Sequence, residues 1–356
     1  MRRKTKAVWV GPLQIGGDAP VSIQSMTNTD TRDVLATVQQ IEQLGDAGCD
    51  LVRLSVFDAE CVRVLPSILE QVQPLPLVAD IHFDARLAIG AIHAGVKKVR
   101  INPGNIASQK DVSRLARVAS ENGVCIRVGA NSGSIHPDFC NLPRVDALVE
   151  SALRQVRQLE KQGFSSIVVG VKSSDARETV AANQKVARMV DYPLHLGVTE
   201  AGPLFHALIK SSFALGSLLD QGIGDTVRIS ISGDPVEEVR AAQILLKTLG
   251  LRQGVTLISC PTCGRARIDV AALARQVESW CAHVSADVTV AVMGCEVNGL
   301  GEGREADLGI AGLANGGAVL FQRGKVLGTY SRETIKDAFF QALREMEKRG
   351  WKEETR

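Results

Sequence analysis

The chain has 356 residues, of which 45% are hydrophobic and 22% charged, a composition typical of a globular protein long enough for one large and one small domain. A net charge of +2 does not favour nucleic acid or a membrane surface as partner. No apolar run approaches the roughly 20 residues of a membrane span, and no apolar segment of a signal peptide follows the basic start. The eight cysteines are not concentrated in a disulfide-dense region, so we expect a cytoplasmic protein with reduced thiols.

Short β-branched runs recur along most of the chain, and segments with helical periodicity separate them. The runs are apolar through their middles, as strands buried on both faces are. There are eight, at residues 21–26, 51–56, 77–81, 98–102, 125–130, 165–172, 194–200 and 226–232. This pattern predicts a (β/α)8 TIM barrel. A doubly wound sheet is the alternative, but it would need a glycine fingerprint after its first strand, and the sequence has none there.

The sequence changes character near Val255. A predicted strand at 255–259, a helix at 270–282 and a strand at 288–293 precede a glycine-rich stretch and a final amphipathic helix. One face of that helix carries Ile335, Ala338, Phe339, Ala342, Leu343 and Met346. We therefore predict a barrel domain over residues 1–250 and a smaller α+β domain over residues 251–356.

Charged side chains stand near the carboxyl ends of several predicted barrel strands, which form the active-site face in such barrels. They are Arg53, Asp80, Arg100, Arg127, Lys172, Glu200 and Arg228. Residues two apart in a strand share a face, so Arg100 faces with Asn102, and Arg228 with Ser230. Burying a charge costs several kcal/mol of folding free energy unless the charge is paired. Repeated charges would therefore destabilise a barrel core, and they are better explained as part of a binding or catalytic site.

Two interpretations of these charges are open. They could form a ring of internal ion pairs, in which Asp80 and Glu200 neutralise two of the five cations. Alternatively, the surplus of positive charge binds a diphosphate, because arginine forks match phosphate oxygens in bidentate fashion. The second interpretation, a diphosphate site, is favoured. Asn131 begins the run Asn-Ser-Gly-Ser after the fifth strand, and this run offers small donors suited to phosphate or hydroxyl groups.

The most specific feature is a set of three cysteines near the end of the chain. Cys260-Pro261-Thr262-Cys263 sets two thiolates on one tight turn, and Cys295 follows a second apolar segment. Three thiolates and one position that is not cysteine suit a metal centre that acts on a substrate, since an electron-transfer cluster is normally closed by four thiolates. Glu302, seven residues beyond Cys295 and flanked by glycines, is the candidate for the fourth ligand.

Other interpretations of these motifs fit less well. Structural zinc would need a further ligand such as Cys281 or His283, both on a predicted helix away from the cysteine pair. A redox dithiol would leave Cys295 without a role. The glycines at 299, 301 and 303 fail a nucleotide-binding pattern and are interpreted as allowing close approach to a bulky cluster. The remaining cysteines are predicted to pack as small apolar residues: Cys49, Cys61, Cys125 and Cys140.

Taken together, these motifs resemble the bacterial 4-hydroxy-3-methylbut-2-enyl diphosphate synthases, the iron–sulfur enzymes of the methylerythritol phosphate route to isoprenoids. The resemblance runs essentially from end to end. It is carried, in order, by residues 22–29 (SIQSMTNT), 78–83 (VADIHF), 100–105 (RINPGN), 196–202 (LGVTEAG) and 260–263 (CPTC). One departure lies in the last loop, where Leu300 stands in place of the family's usual proline.

The resemblance implies a TIM barrel followed by a 4Fe–4S domain, with substrate and cluster ligands carried over by position. The implied cluster ligands are Cys260, Cys263, Cys295 and Glu302. The diphosphate would be held by Arg53, Arg100, Arg127, Lys172 and Ser230. The groups around the sugar-derived carbons would be Asp80, Asn102, Asn131 and Glu200.

The implied reaction is the two-electron reduction of 2-C-methyl-D-erythritol 2,4-cyclodiphosphate, with ring opening and loss of water. Flavodoxin or ferredoxin would supply the electrons, and the family forms homodimers in which one subunit's cluster domain covers the other's barrel mouth. We expect Asp80, Asn131, Glu200 and Glu302 to be the catalytic set, with Glu302 as an exchangeable ligand and Glu200 handling a proton, while Arg228 joins the substrate-binding set.

Two rival functions remain open at this point. A pterin-binding barrel of the dihydropteroate synthase kind also binds a diphosphate at its strand ends, but it leaves the three cysteines without a role. An iron–sulfur sensor or carrier with a vestigial barrel is the non-enzymatic alternative. It leaves the charged strand ends unexplained.

Overall fold

The structure is a computed structural model that describes residues 2–82, 84–101, 108–281, 284, 286–299, 301 and 303–351, without the side chain of residue 298. Four residues named above, Asn102, His283, Leu300 and Glu302, lie outside the described residues. The chain divides into two compact units, Met1–Arg252 and Gln253–Arg356. Each unit has an apolar core of its own.

The first unit is a barrel of eight parallel strands, preceded by a hairpin of β1 (Val8–Val10) and β2 (Leu13–Ile15). The barrel strands are β3 (Ser22–Met26), β4 (Leu51–Ser55), β5 (Leu77–Asp80), β6 (Lys98–Arg100), β7 (Cys125–Asn131), β8 (Ile167–Lys172), β9 (His195–Leu196) and β10 (Thr226–Val227). Neighbours pair in parallel from β3 to β8, and β10 pairs with both β3 and β9. A parallel bridge between Val169 and Leu194 closes the ring. The predicted (β/α)8 barrel is confirmed.

A helix follows each barrel strand. These are α1 (Val34–Asp46), α2 (Ala59–Gln71), α3 (Ala85–His93), α4 (Gln109–Glu121), α5 (Arg144–Glu160), α6 (Ala176–Ala187), α7 (Leu204–Asp220) and α8 (Pro235–Thr248). Six of them begin after a residue whose side chain accepts a hydrogen bond from a first-turn N–H group: Asp33, Asp58, Asp84, Ser108, Asp175 and Asp234. Their apolar faces share one core with alternate strand residues, so the other strand face is left for the barrel interior.

The hairpin of β1 and β2 is not predicted from the sequence, and it covers the amino-terminal side of the barrel interior. Its residues Val8, Val10 and Ile15 form one buried cluster with Leu51, Val78, Cys125 and Val168. Leu51, Val78 and Cys125 each stand two residues before Arg53, Asp80 and Arg127 on the same strand face. The apolar cluster therefore underlies the charged layer, and the carboxyl ends of the strands remain for a site.

The second unit contains a five-stranded mixed sheet and three helices. Its elements are β11 (Thr256–Ser259), α9 (Val270–Cys281), β12 (Thr289–Met293), α10 (Glu296–Gly299), β13 (Leu308–Gly312), β14 (Ala318–Gln322), β15 (Lys325–Tyr330) and α11 (Ile335–Lys348). The sheet order is β11-β12-β13-β14-β15, parallel from β11 to β13 and antiparallel from β13 to β15. The predicted face of α11 is confirmed by the burial of Ile335, Phe339 and Leu343.

No described helix is long and apolar enough to span a bilayer.

Candidate active site and metal centre

Charged side chains from successive barrel strands gather in the barrel interior. Arg53, Arg127 and Lys172 are no more than 8% exposed. Burial, and then repulsion by Arg127, Arg228, Arg53 and Arg100, lowers the pKa of Lys172 well below that of an ordinary lysine. The five predicted cations are therefore electrostatic neighbours, and the structure brings them together as the strand pattern predicts.

Asp80 is the carboxylate at the centre of one half of this cluster. Its Oδ1 accepts a hydrogen bond of 2.9 Å from Nη1 of Arg100, and its Oδ2 lies 3.6 Å from Nε of Arg53 and 3.6 Å from Nε2 of His82. Burial alone would raise the pKa of Asp80, but the charge of Arg53, a hydrogen bond from His82 and the charge of Arg100 lower it below its usual value. Asp80 is therefore an ionised anchor for two arginines.

Arg228 is paired with a carboxylate that the sequence does not indicate. Glu238 on α8 is buried and accepts hydrogen bonds of 3.1 Å from both Nε and Nη2 of Arg228. It also accepts from the hydroxyl of Ser25 at 2.9 Å and from the backbone N–H of Ile231 at 3.0 Å. Two of these bonds hold the Arg228 guanidinium, and the other two fix the Glu238 carboxylate that holds it.

Glu200, which the ion-pair interpretation would use, makes no ion pair within 4.0 Å among the described residues and is exposed. It follows β9 with a φ of 51°, in the left-handed region that an ordinary residue rarely adopts. The interpretation as a ring of ion pairs built on Asp80 and Glu200 is therefore wrong, since the second carboxylate that pairs with a barrel cation is Glu238.

Arg127 and Lys172 have no such partner among the described residues. Nε and Nη1 of Arg127 are buried without a hydrogen bond, and neither residue forms an ion pair with a described carboxylate. Burial, and then the charges of Arg100 and Arg53, lowers the pKa of Arg127 well below that of an ordinary arginine. Buried donors normally have a hydrogen-bond partner, and buried charges are normally paired. Arg127 and Lys172 are therefore the residues of the barrel best suited to bind an anion.

Two glycines make room for this pair. A Cβ atom on Gly170 would lie 2.6 Å from Nη2 of Arg127, and a Cβ atom on Gly197 would lie 2.6 Å from Nζ of Lys172. A larger residue at either of these two positions would displace the cation beside it. The sequence therefore places side-chain-free positions next to the two unpaired charges.

The remaining predicted barrel residues lie at the ends of their strands. Asn131 ends β7 in register with Lys172, and its backbone N–H donates to the hydroxyl of Ser134 at 3.1 Å. Ser230 is half-buried, two residues beyond Arg228 in the segment that follows β10. Asn102 lies outside the described residues.

Two of the three predicted metal-binding cysteines leave adjacent parallel strands at the same edge. Cys260 directly follows β11 and Cys295 follows β12, and the two strands pair with Ser259 opposite Val292. The backbone N–H of Gly294 donates to Sγ of Cys260 at 3.0 Å.

Cys263 is exposed on the turn beyond β11. Hydrogen bonds from the backbone and the side chain of Arg265 lower the pKa of the Cys263 thiol, which favours the thiolate. The described part of the chain contains no group of three or more His, Cys, Asp or Glu side chains that could hold one metal ion. The donors fit thiolate ligation of a soft metal centre, and Glu302 lies outside the described residues.

The glycines of the last loop have a packing role. A Cβ atom on Gly299 would lie 2.2 Å from Cβ of Ala311, and one on Gly303 would lie 2.8 Å from the backbone oxygen of Gly299. These glycines therefore allow the loop to pack on its own sheet, whereas the sequence interpretation assigned them to a cluster. Among the other cysteines, Cys49, Cys61 and Cys125 are buried as predicted, but the prediction is wrong for Cys140, which is exposed.

Each of the two units matches the model of a known protein family. Residues 5–243 match the model described as the GcpE TIM-barrel domain, and residues 256–345 match the GcpE protein C-terminal domain. The chain belongs to the GcpE family.

Three relatives of this GcpE-family chain share one name, 4-hydroxy-3-methylbut-2-en-1-yl diphosphate synthase (flavodoxin). The protein from Desulfotalea psychrophila is 50% identical over 97% of this chain and 96% of its own length. The protein from Thermotoga maritima is 51% identical over 96% of this chain and 98% of its own length. The protein from Geobacillus kaustophilus is 51% identical over 94% of this chain and 90% of its own length.

Solved structures resemble the GcpE barrel in fold. A dihydropteroate synthase from Yersinia pestis in a sulfonamide drug complex has a TM-score of 0.52 and 12% identity, and the match covers 69% of this chain and all of that chain. At this identity the likeness shows the fold alone. The rival pterin function therefore gains no support from it.

Several side chains of the GcpE barrel site are missed by sequence reasoning. Met26 accepts weak hydrogen bonds through Sδ from Nε of Arg53 at 3.1 Å and from Nη2 of the same arginine at 2.9 Å. Lys98 and His195 are fully buried in the barrel interior. Lys98 could have been found by the same spacing rule as Arg100, since it stands two residues earlier on the same strand.

Proposed function

We propose that this protein reduces 2-C-methyl-D-erythritol 2,4-cyclodiphosphate to 4-hydroxy-3-methylbut-2-enyl diphosphate, a precursor of isoprenoids. The observation that carries the proposal is the buried pair of Arg127 and Lys172, which no described carboxylate neutralises. A cyclic diphosphate supplies the negative charge that this pair lacks. Relatives named as the synthase cover nearly the whole chain at 50% to 51% identity, which supports the same substrate.

In this proposal the barrel residues bind and orient the anion. Arg127 offers a fork of N–H groups and Lys172 a point charge, while Asp80 and Glu238 hold the neighbouring arginines in place. Arg53, Arg100, Arg228 and Ser230 complete the phosphate contacts. Asn131, Asn102 and Glu200 line the carbon skeleton, and Glu200 handles a proton at the reacting end of the substrate.

The cofactor that we propose is a 4Fe–4S cluster held by Cys260, Cys263, Cys295 and Glu302. When bound, such a cluster supplies electrons one at a time and an iron that acts as a Lewis acid. The lowered pKa of Cys263 supports thiolate ligation there. A carboxylate at the fourth place is a harder and more weakly held ligand than a thiolate, so it suits exchange with a substrate oxygen.

The partners that we propose are flavodoxin as electron donor, with ferredoxin as an alternative, and a second copy of the chain. The word flavodoxin in the names of the relatives supports the first. A stripe on α7 supports the homodimer, because Phe205, Ile209 and Phe213 are 76%, 72% and 50% exposed at four-residue spacing. A cytoplasmic location is supported by eight cysteines that are all free.

Ile209→Lys tests the exposed stripe on α7 and should shift the protein from dimer towards monomer in analytical ultracentrifugation. An unchanged dimer would show that α7 is not part of the interface.

The proposed activity is tested by turnover. Protein purified without oxygen is mixed with the cyclic diphosphate and reduced flavodoxin, and the product is measured by mass spectrometry. Cys263→Ser should lose most of the product, because it removes an exposed thiolate with a lowered pKa. Cys140→Ser, which changes an exposed cysteine of the barrel unit, should retain it. Failure of the iron-loaded wild-type protein to convert the cyclic diphosphate would reject the proposal.

A further inference from the structure

A layer of polar side chains lies in the barrel interior among the amino-terminal parts of the strands. Lys98 on β6 and His195 on β9 are completely buried. Thr226 on β10 pairs in register with both Ser22 on β3 and His195, so these three residues adjoin one another on one face of the sheet. Lys98 stands two residues before Arg100 and opposite Cys125, which places it below the predicted phosphate site.

These polar groups lack hydrogen-bond partners among the residues that the structure describes. Nζ of Lys98, both ring nitrogens of His195 and the hydroxyls of Ser22 and Thr226 are buried with no partner in the described part of the chain. Both amide atoms of Gln24 are in the same condition. Buried polar groups usually have a partner, and an unpaired buried ammonium costs several kcal/mol. A neutral amine avoids most of that cost.

The surroundings of Lys98 also disfavour a positive charge. Burial is the main influence and lowers the pKa of Lys98 to about 8; Cys125 acts in the opposite direction and raises this pKa, while Arg127 on β7 and Arg53 on β4 repel the charge and lower it. The thiol of Cys125, on the neighbouring strand, has a pKa raised to about 11 by burial and so remains neutral. Among the described residues, the other titratable groups that face the barrel interior are Asp80 and His82 on or after β5, Arg100 on β6, Lys172 on β8, His195 on β9 and Arg228 directly after β10.

We propose that Lys98 accepts a proton when the cyclic diphosphate binds, so that the barrel gains a positive charge as it receives the anion. The proton comes from the solvent and its buffer, it adds to the lone pair of Nζ, and no other bond forms or breaks. The bound anion offsets the repulsion by Arg127 and Arg53, which disfavours the ammonium in the empty barrel. Lys98 is thus a positioning charge for substrate binding, and it need not contact the substrate. This inference rests on the proposed function.

Calorimetry tests this coupling. The oxidised holoprotein, without a reductant, is titrated with 2-C-methyl-D-erythritol 2,4-cyclodiphosphate near pH 8 in two buffers of different ionisation enthalpy, which yields the number of protons taken up. Lys172, whose pKa is also lowered, contributes equally to wild type and variants, so the difference between them isolates Lys98. Lys98→Met should lower the uptake by up to about half a proton per bound substrate, because half of an amine with a pKa near 8 is neutral at that pH.

Lys98→Arg provides a second variant, because its side chain stays charged in both states and should lower the uptake by the same amount. Lys161→Met, which removes an exposed lysine at the end of α5, should leave the uptake unchanged. Uptake equal to that of the wild type in both Lys98 variants would overturn the inference.

If circular dichroism shows that neither Lys98 variant folds, the pH dependence of substrate binding by the wild type tests the inference instead. The affinity of the wild type for the cyclic diphosphate should weaken as the pH rises above about 8, by up to about tenfold per pH unit. An affinity that is constant from neutral pH to the pKa of a free lysine would overturn the inference. Absence of any binding heat from folded wild-type holoprotein would instead reject the proposed function.

Discussion

Arg127 and Arg228 are arginines of the same barrel interior, yet their surroundings differ. Glu238 holds Arg228 through two hydrogen bonds of 3.1 Å, whereas two nitrogens of Arg127 are buried without a partner among the described residues. One arginine is thus neutralised and fixed by the fold, and the other keeps its charge and donors for a ligand. This difference gives the two residues separable consequences when they are changed.

Arg127→Met should mainly weaken substrate binding. The variant removes a charge-assisted contact to phosphate worth about 2 kcal/mol, so KM should rise roughly 30-fold with a smaller effect on kcat. The free energy of unfolding should not fall, because methionine replaces an unpaired buried charge. Steady-state kinetics and urea denaturation measure both. Arg157→Met on the exposed side of α5 is the matched control, and a normal KM for Arg127→Met would contradict the phosphate role.

Glu238→Gln should act through Arg228. The amide keeps the size of the side chain but loses the charge, so the guanidinium is less firmly held and KM should rise about tenfold while kcat changes less. In a double-mutant cycle with Arg228→Met, the two effects on kcat/KM should be non-additive by about 1–3 kcal/mol. Additive effects would show that Glu238 does not act through Arg228.

Lys98→Met should stabilise the ligand-free protein in a pH-dependent way. The folded pKa of Lys98, about 8, lies below the 10.5 of a free lysine, so the unfolded chain binds more protons between these values and the wild type gains stability as the pH rises through this window. The burial penalty is fully present below pH 8 and disappears above 10.5. The variant should therefore be more stable at neutral pH by about 1–3 kcal/mol, and the advantage should vanish towards pH 10.5. Urea denaturation at several pH values measures this, and a constant difference would contradict it.

The charged residues of the strands could be predicted because charge is conspicuous in an apolar run and side chains two apart share a face. Glu238 could not be identified in this way, since a glutamate in the first turns of a helix is usually solvated and favourable there. The sequence does not reveal its burial, which arises because α8 packs against β3 and the side chain meets Arg228 and Ile231 in the segment after β10. Met26 was hidden for the opposite reason, because a methionine in a strand normally belongs to an apolar core.

At the scale of elements, glycines on the barrel strands decide whether the cations fit. Gly170→Ala on β8 should raise KM about tenfold or more, because the new methyl group would lie 2.6 Å from Nη2 of Arg127 and displace it. Gly216→Ala on α7 is the control, since its Cβ atom would lie 3.9 Å from Cδ1 of Leu245, an ordinary contact. Circular dichroism checks that both variants fold. Equal kinetic constants for Gly170→Ala and the wild type would show that Arg127 does not depend on this space.

Element types were predictable where the sequence pattern is periodic and long. Seven of the eight barrel strands lie within their predicted runs, and β7 extends one residue beyond its run, to Asn131; β9 and β10 contain only two residues each. The hairpin of β1 and β2 was missed because three-residue strands carry too little pattern. Strands β13, β14 and β15 were missed because the sequence analysis treats this segment as one glycine-rich stretch. Within β13, Gly309 is required since its Cβ atom would lie 2.2 Å from Cζ of Phe321.

At the scale of the whole molecule, the anion site and the three cysteines belong to separate compact units. The motifs of the sequence indicate both sites and the family, and the family models match both units. What the sequence could not supply is which charges are neutralised within the barrel, because that depends on side chains that meet only in the folded chain. The proposed function requires residues of both units to act on one substrate molecule.

The most direct test of that requirement is the EPR spectrum of the reduced protein, purified without oxygen and analysed for iron and sulfide, with and without the cyclic diphosphate. We expect about four irons per chain and a spectrum that changes when the substrate is added. The change should be weaker in Arg127→Met at the same substrate concentration, since the barrel then binds the anion less tightly. Zinc in place of iron, or a spectrum that is indifferent to the substrate, would contradict the proposed function.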